Sequence, residues 1–136
     1  MPSIRFTDEV AAAEFLNLGQ RVWPGSYGLD EVRLALSRTT NLGAWDGTKL
    51  VGSVRVLSDG YFFATIPDIF VHPEYRRRGI GRALMQRALS HSPHGRLFFG
   101  VQPSAVGFYE RIGCKANLVG FVLEARHLKG VRADAP

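Results

Sequence analysis

The chain holds 136 residues, 46% of them hydrophobic, and its 17 Lys+Arg against 12 Asp+Glu give a formal net charge of +5. That length suits one domain with one sizeable core, while a lone cysteine, Cys114, excludes a disulfide framework or a cysteine-built zinc site and fits a reducing cytoplasm. Acids and polar residues stand where a signal peptide needs a basic and then an apolar stretch, and no apolar run approaches the ~20 residues of a membrane span, so a soluble cytoplasmic domain is expected.

Ile4 to Phe6 reads as a short strand. Thr7 can cap a helix that opens with Asp8 and Glu9, acids suited to the positive end of a helix dipole, and that helix runs through Phe15 and Leu16 to a stop at Gly19. Trp23-Pro24-Gly25 and Ser26-Tyr27-Gly28 are loop chemistry, after which Asp30-Glu31 starts a second helix with Leu29, Val32 and Leu36 as its apolar stripe. Leu42–Trp45, Lys49–Leu57 and Tyr61–Val71 then read as strands of an antiparallel meander, parted by Asp46-Gly47 and Ser58-Asp59-Gly60. Pro67 cannot donate to a ladder and marks a bulge or unpaired position in the third. After Val71 a basic, glycine-containing turn leads into a helix from Ile80 to His91, and a strand at Arg96–Val101 completes a parallel crossover. A short helix at Val106–Ile112 ends at Gly113, and Val119–Glu124 reads as a last strand. A single domain over residues 1–130 with a frayed tail at 131–136 is expected.

The positive charge is local. Residues 72–96 hold Arg76, Arg77, Arg78, Arg82, Arg87 and Arg96 against Glu74 alone, and the remaining acids and bases cancel. Charge confined to one segment suggests a discrete anionic ligand rather than a diffuse polyanion. The segment His72-Pro73-Glu74-Tyr75-Arg76-Arg77-Arg78-Gly79-Ile80-Gly81 joins a strand to a helix. The first turn of a helix leaves backbone N–H groups unpaired at the positive end of its dipole. Gly79 and Gly81 carry no Cβ, so a phosphate can approach the backbone, with the arginines adding charge and hydrogen bonds. The same residues can also be a solvated arginine run with two turn glycines. The pattern is neither a Rossmann fingerprint nor a P-loop, since no Gly-Lys-Ser/Thr follows. A nucleic-acid reader is set aside for want of interleaved aromatics or a reader motif.

Arg76-x-x-Gly79-x-Gly81, with Val71-His72-Pro73-Glu74-Tyr75 before it and Arg82-Ala83-Leu84-Met85 after it, resembles the Arg/Gln-x-x-Gly-x-Gly/Ala signature of the GNAT superfamily of acetyl-CoA-dependent N-acetyltransferases. Phe108-Tyr109-Glu110-Arg111-Ile112-Gly113 resembles that family's Phe/Leu-Tyr-Glu-x-x-Gly helix. The order of elements agrees over nearly the whole chain. The resemblance implies an α/β, single-domain GNAT fold: a mixed, mostly antiparallel central sheet with splayed strands, flanked by helices.

It also implies chemistry. Ile69, Phe70 and Val71 would bind the pantetheine of acetyl-CoA through their backbone, and the amides from Arg77 to Arg82, including Arg78, Gly79, Ile80 and Gly81, would hold the pyrophosphate. Arg76 would mainly fix the loop. An N–H of Ile69 or Phe70 would meet the oxygen on which charge develops. Tyr109 matches the general acid for the leaving thiolate; a phenol of reference pKa about 10 is protonated at neutral pH. Asp68 is the acid on the strand entering the cleft: it would deprotonate the ammonium, directly or through water, or simply hold the substrate's positive charge, or else turn away as a structural hydrogen-bonding residue, with His72 a lesser candidate for the base. Gln102 stands where many members carry Asn, while Ala105 and Phe108 would line the pantetheine channel. Cys114 reads as a small buried hydrophobe.

Trp23, Tyr27 and Trp45 are candidate walls of an acceptor site, equally readable as packing. No metal is called for. The implied reaction is transfer of the acetyl group of acetyl-CoA, with coenzyme A as product, to a small-molecule or protein amine in a ternary complex; a homodimer is compatible. The alternative is an acyl-CoA-binding sensor or regulatory module of the same fold without turnover.

Overall fold

A computed structural model describes residues 3–127 of the chain. They fall into two compact units, one within Met1–Phe99 and the other within Gly100–Pro136. The expected tail at 131–136 lies outside the described residues.

The first unit is built on a five-stranded sheet: β1 (Ile4–Thr7), β2 (Thr40–Asp46), β3 (Lys49–Ser58), β4 (Ala64–Thr65) and β5 (Ile69–Val71). Every strand pairing is antiparallel. The centre is β3, whose residues from Leu50 to Val54 are all buried. A continuous buried run means cover on both faces. On one face α1 (Ala12–Val22) brings Phe15 against Phe70, ring centroids 5.6 Å apart. On the other, α3 (Ile80–Leu89) sets Ile80 and Leu84 over Gly52. A methyl at Gly52 would lie 2.9 Å from Ile80 and 3.0 Å from Leu84, so the missing side chain is what lets α3 seat this closely. Leu84, Val51 and Val54 are fully buried, each contributing about 1.5–3 kcal/mol. The remaining helix, α2 (Leu29–Ser37), packs on α1.

The expected third strand of the meander, Tyr61–Val71, is in fact two. β4 pairs with Leu57 and Ser58, β5 with Gly52 to Val54, and Ile66-Pro67-Asp68 between them leave the ladder. Proline at the break is the cause, since it has no N–H to give.

Further expectations are corrected. Thr7 does not cap α1: it pairs with Gly43 in the sheet, and its hydroxyl donates to Glu9 O at 2.8 Å and accepts from Trp45 Nε1 at 2.8 Å. The helix begins later, with Ala11 as an N-cap lacking a side-chain bond and Glu14 as its first-turn acid. Gly19 does not end α1 but lies buried inside it, its α-carbon facing the Phe70 ring; packing on the sheet overrides its poor helix propensity. The strand expected at Arg96–Val101 contracts to one parallel bridge, Thr65 to Phe98, with Phe98 N–H on Ala64 O at 3.0 Å and Ile66 N–H on Phe98 O at 3.3 Å.

The second unit contains α4 (Val106–Arg111), followed by Gly113 at a φ of 101°. The strand expected at Val119–Glu124 is not formed among the described residues; Val119, Phe121 and Val122 are exposed and unpaired in any ladder. An apolar pattern favours a strand only where a neighbouring strand completes its hydrogen bonds. No helix of the described residues is long and apolar enough to cross a membrane.

Candidate functional site

The basic segment is a built turn. β5 runs into His72, whose Nδ1 accepts the Glu74 N–H at 3.1 Å and so caps a 3-10 turn at Pro73–Tyr75. The Tyr75 phenol donates to Asp46 on β2, a bond that raises its pKa above the usual value, and its ring centroid lies 5.3 Å from the Lys49 ammonium and 4.9 Å from the Arg78 guanidinium. Arg76 Nε donates to Val71 O at 3.3 Å, bracing the turn against the strand it leaves. Arg77 and Gly79 then take φ values of 64° and 79°. For a residue with a side chain that conformation costs about 1–3 kcal/mol and persists only where its surroundings enforce it.

The turn delivers the chain into α3 with Gly79 as an N-cap that makes no side-chain bond and with no acid in the first turn. A Cβ at Gly79 would meet nothing within 4 Å, so there is open space against the backbone. Arg76, Arg77, Arg78 and Arg82 are exposed around it, while Ile80 and Gly81 are buried and anchor the helix start. Free amides, a positive helix end, open backbone and four guanidinium groups together match a polyphosphate.

β5 stands at an edge, paired among the described residues with β3 alone. At its two ends Arg55 N–H bonds Asp68 O at 3.1 Å and His72 N–H bonds Val51 O at 2.8 Å. Antiparallel ladders alternate, so Phe70, midway between them, also turns its amide toward β3. Ile69 and Val71 turn theirs away. This separates the three residues expected to act together: Ile69 and Val71 offer outward backbone groups, whereas Phe70 offers a buried ring.

That ring helps line a cavity of about 560 Å³ enclosed by α1, α2, the loop between them, β3 and the break before β5. Phe15, Trp23 and Tyr27 supply further aromatic wall, and Trp23 and Tyr27 are each 54% exposed at its mouth. Gln20, in the last turn of α1, clamps the loop: its Nε2 donates to Gly25 O at 2.7 Å and its Oε1 accepts the Gly25 N–H at 3.0 Å. Trp45, a candidate wall, instead lines a separate cleft beside Thr7 and Glu9.

Three charged residues face the cavity: Glu31, Arg55 and Asp68. The Asp68 carboxylate accepts from Arg55 Nε at 3.1 Å through Oδ1 and from Nη2 at 2.5 Å through Oδ2, a fork pairing between side chains about a fifth exposed. The guanidinium also lies 5.8 Å from the Phe15 ring centroid. Arg55, Glu31, Phe15 and Gln20 had not been singled out from the sequence. Arg55 left a signal, as the one charged residue in the mostly apolar stretch from Leu50 to Leu57; Gln20 left none.

In the second unit Gln102 precedes a 3-10 turn at Pro103–Ala105, and Ala105 N–H bonds its carbonyl at 2.8 Å. Phe108 and Tyr109 stand edge to face on α4, centroids 5.0 Å apart. Burial, and then the nearby Cys114, push the Tyr109 pKa up, so the phenol stays protonated at neutral pH. Burial also raises the Cys114 thiol, which is therefore no thiolate nucleophile.

The family model described as acetyltransferase (GNAT) domain matches residues 13–130. Among curated proteins, the chain is 39% identical over 75 residues to GCN5-related N-acetyltransferase 2, chloroplastic, of Arabidopsis thaliana, an alignment covering 53% of this chain and 29% of that one. The chain thus spans well under half the length of such relatives. Among solved structures, a GNAT-family acetyltransferase from Streptococcus pneumoniae TIGR4 superposes with a TM-score of 0.77 at 28% identity, covering 93% of this chain and 99% of the other. Glucosamine-6-phosphate N-acetyltransferase from Arabidopsis thaliana superposes with a TM-score of 0.71 at 15% identity, over 90% and 98% of the two chains, a likeness of fold alone.

Proposed function

Because the chain belongs to the GNAT acetyltransferase family, we propose that it transfers the acetyl group of acetyl-CoA to the nitrogen of a primary amine, with both substrates bound at once. The observation that carries this reading is the turn at 76–82, where exposed arginines surround an uncapped helix start reached through two positive-φ residues. Acetyl-CoA, when bound, supplies an acetyl group already activated as a thioester.

The residues divide the work. Arg77, Arg78 and Arg82, with the backbone of Gly79, Ile80 and Gly81, hold the phosphates, while Arg76, tied to Val71 O, keeps the turn in shape. The outward backbone of Ile69 and Val71 takes the pantetheine amides, and the Ile69 N–H is the donor for the oxygen on which negative charge gathers. Phe70 walls the acceptor cavity rather than giving an amide. The amine nitrogen forms the new C–N bond as the C–S bond breaks, and holding the two reactants together supplies much of the acceleration. Tyr109 gives its phenolic proton to the departing sulfur, and the phenolate recovers one released from the amine through water. For Tyr109, Gln102, Ala105 and Phe108 the assignment rests on the motif. Of the roles open to Asp68, the fork pairing with Arg55 supports the structural one.

Thiol release from acetyl-CoA over a panel of amines tests the reaction, with a thermal shift as the measure of binding. Coenzyme A should raise the melting temperature of wild type and of Tyr109→Phe alike, while Tyr109→Phe lowers kcat by about 10²-fold. Unchanged turnover in that variant removes Tyr109 as the acid, and binding without release from any amine points back to an acyl-CoA-binding module.

A further inference from the structure

The cavity's charges select an amine. Arg55 and Asp68 satisfy each other, and Asp30, beside Glu31 in sequence, is paired with Arg33 at 3.1 Å. Glu31 has no such partner among the described residues and faces the cavity from the first turn of α2. Its carboxylate lies over the backbone of Gly28, so close that a methyl built there would fall 1.8 Å from Oε2. Among the described residues the cavity therefore presents one uncompensated negative charge, no uncompensated positive charge, and aromatic walls from Phe15, Trp23, Tyr27 and Phe70.

We propose that the acceptor is a small amine carrying a single positive charge on an apolar, aromatic body, and that Glu31 selects it by accepting hydrogen bonds from the incoming ammonium. This rests on the acetyltransfer reading above. Substrates bearing phosphate or carboxylate lack a free cation to meet them. A polyamine brings several cations to one carboxylate. An amino sugar brings a ring of hydroxyls to walls that are mostly hydrocarbon, and a buried hydroxyl without a partner is costly. An aromatic ring gains from these walls, and the ammonium also gains from the faces of Trp23 and Tyr27. The volume, about 560 Å³, suits a small molecule. The ammonium gives its extra proton to water before the nitrogen attacks, so Glu31 acts in recognition and not in the bond-making step.

The test is thiol release from acetyl-CoA with 2-phenylethylamine, phenylalanine, spermidine and glucosamine, using the whole chain. 2-Phenylethylamine should exceed each of the others by about tenfold or more in kcat/KM. Glu31→Gln should raise its KM about tenfold with kcat little changed, the loss expected for a charge-assisted hydrogen bond. Glu31→Asp should recover part of it, and Gly28→Ala, which pushes the carboxylate aside, should reproduce part of the defect. Melting temperatures equal to wild type show that the variants fold. A preference for spermidine, glucosamine or phenylalanine, or a KM for 2-phenylethylamine indifferent to Glu31→Gln, overturns the proposal. No release from any of the four by a protein that coenzyme A stabilises overturns it too, yet leaves acetyl transfer standing; no stabilisation by coenzyme A strikes at the acetyltransfer reading itself.

Discussion

Arg55 interrupts the buried run of β3, and its guanidinium is held from two sides, by the Asp68 carboxylate and by the face of Phe15. The pair also ties the break at Pro67 back to the sheet, because the backbone repeats the contact with Arg55 N–H on Asp68 O. Removing one member of such a pair leaves the other charge poorly solvated. Asp68→Asn should therefore cost about 1–3 kcal/mol of stability, read by denaturant titration, and should lower kcat/KM by disturbing the cavity wall. The acidic limb of the pH–rate profile should stay where it is, since a structural residue takes no proton from the amine; loss of that limb in Asp68→Asn would make Asp68 the base after all. The sequence leaves these roles open, because the partner that decides between them lies on a neighbouring strand. An isolated Arg in an apolar strand advertises that a partner exists, but strand register is needed to find it.

At the level of elements, local chemistry is legible where it acts locally. Asp46-Gly47 makes the expected turn between β2 and β3, Gly47 taking a φ of 61°, and Pro67 breaks the strand it falls in. What escapes is anything decided by a distant partner: Gly19 stays inside a helix that packs on Phe70, the stretch at 96–101 gains only a single bridge to Thr65, and the one at 119–124 joins no ladder among the described residues. The turn before α3 shows how a single capping residue can tie such an element to pH. His72 is 3% exposed, its Nδ1 must stay unprotonated to accept the Glu74 N–H, and its Nε2 has no partner among the described residues. Burial first, then Lys49 and Arg21, depress its pKa below the usual 6.5; Glu74 opposes them, and Arg76 adds the least. Unfolded chains bind the proton more readily than folded ones here, so the sign follows: stability is full above about pH 6.5 and falls as pH drops from there toward the depressed native value. His72→Asn keeps an acceptor for Glu74 and removes the titration. Its stability profile between pH 5 and 7, compared with wild type, should be flatter by this one group; parallel profiles would show that His72 does not titrate in that window.

For the molecule as a whole, the formal charge of +5 equals the excess carried by residues 72–96, while the rest of the chain is balanced. Attraction to a polyanion at an exposed site decays over roughly 10 Å in 0.1 M salt. The affinity for coenzyme A should consequently fall several-fold between about 50 and 500 mM NaCl, a loss driven by this screening. The KM for a singly charged amine, which meets one carboxylate in a partly enclosed cavity, should move less. Arg77 allows charge and backbone to be separated. It holds a φ of 64° that glycine adopts freely, so Arg77→Gly should keep the turn and relieve strain, raising stability by about 1 kcal/mol. The same variant removes a guanidinium from the proposed phosphate site, so coenzyme A should bind more weakly and with a shallower salt dependence. A more stable protein with a weaker ligand is the opposite of what general damage produces, and the pattern marks strain retained for binding. If Arg77→Gly leaves both affinity and salt slope at the wild-type values, the charge at that position serves the solvent, and the phosphates rest on Arg78, Arg82 and the α3 amides alone.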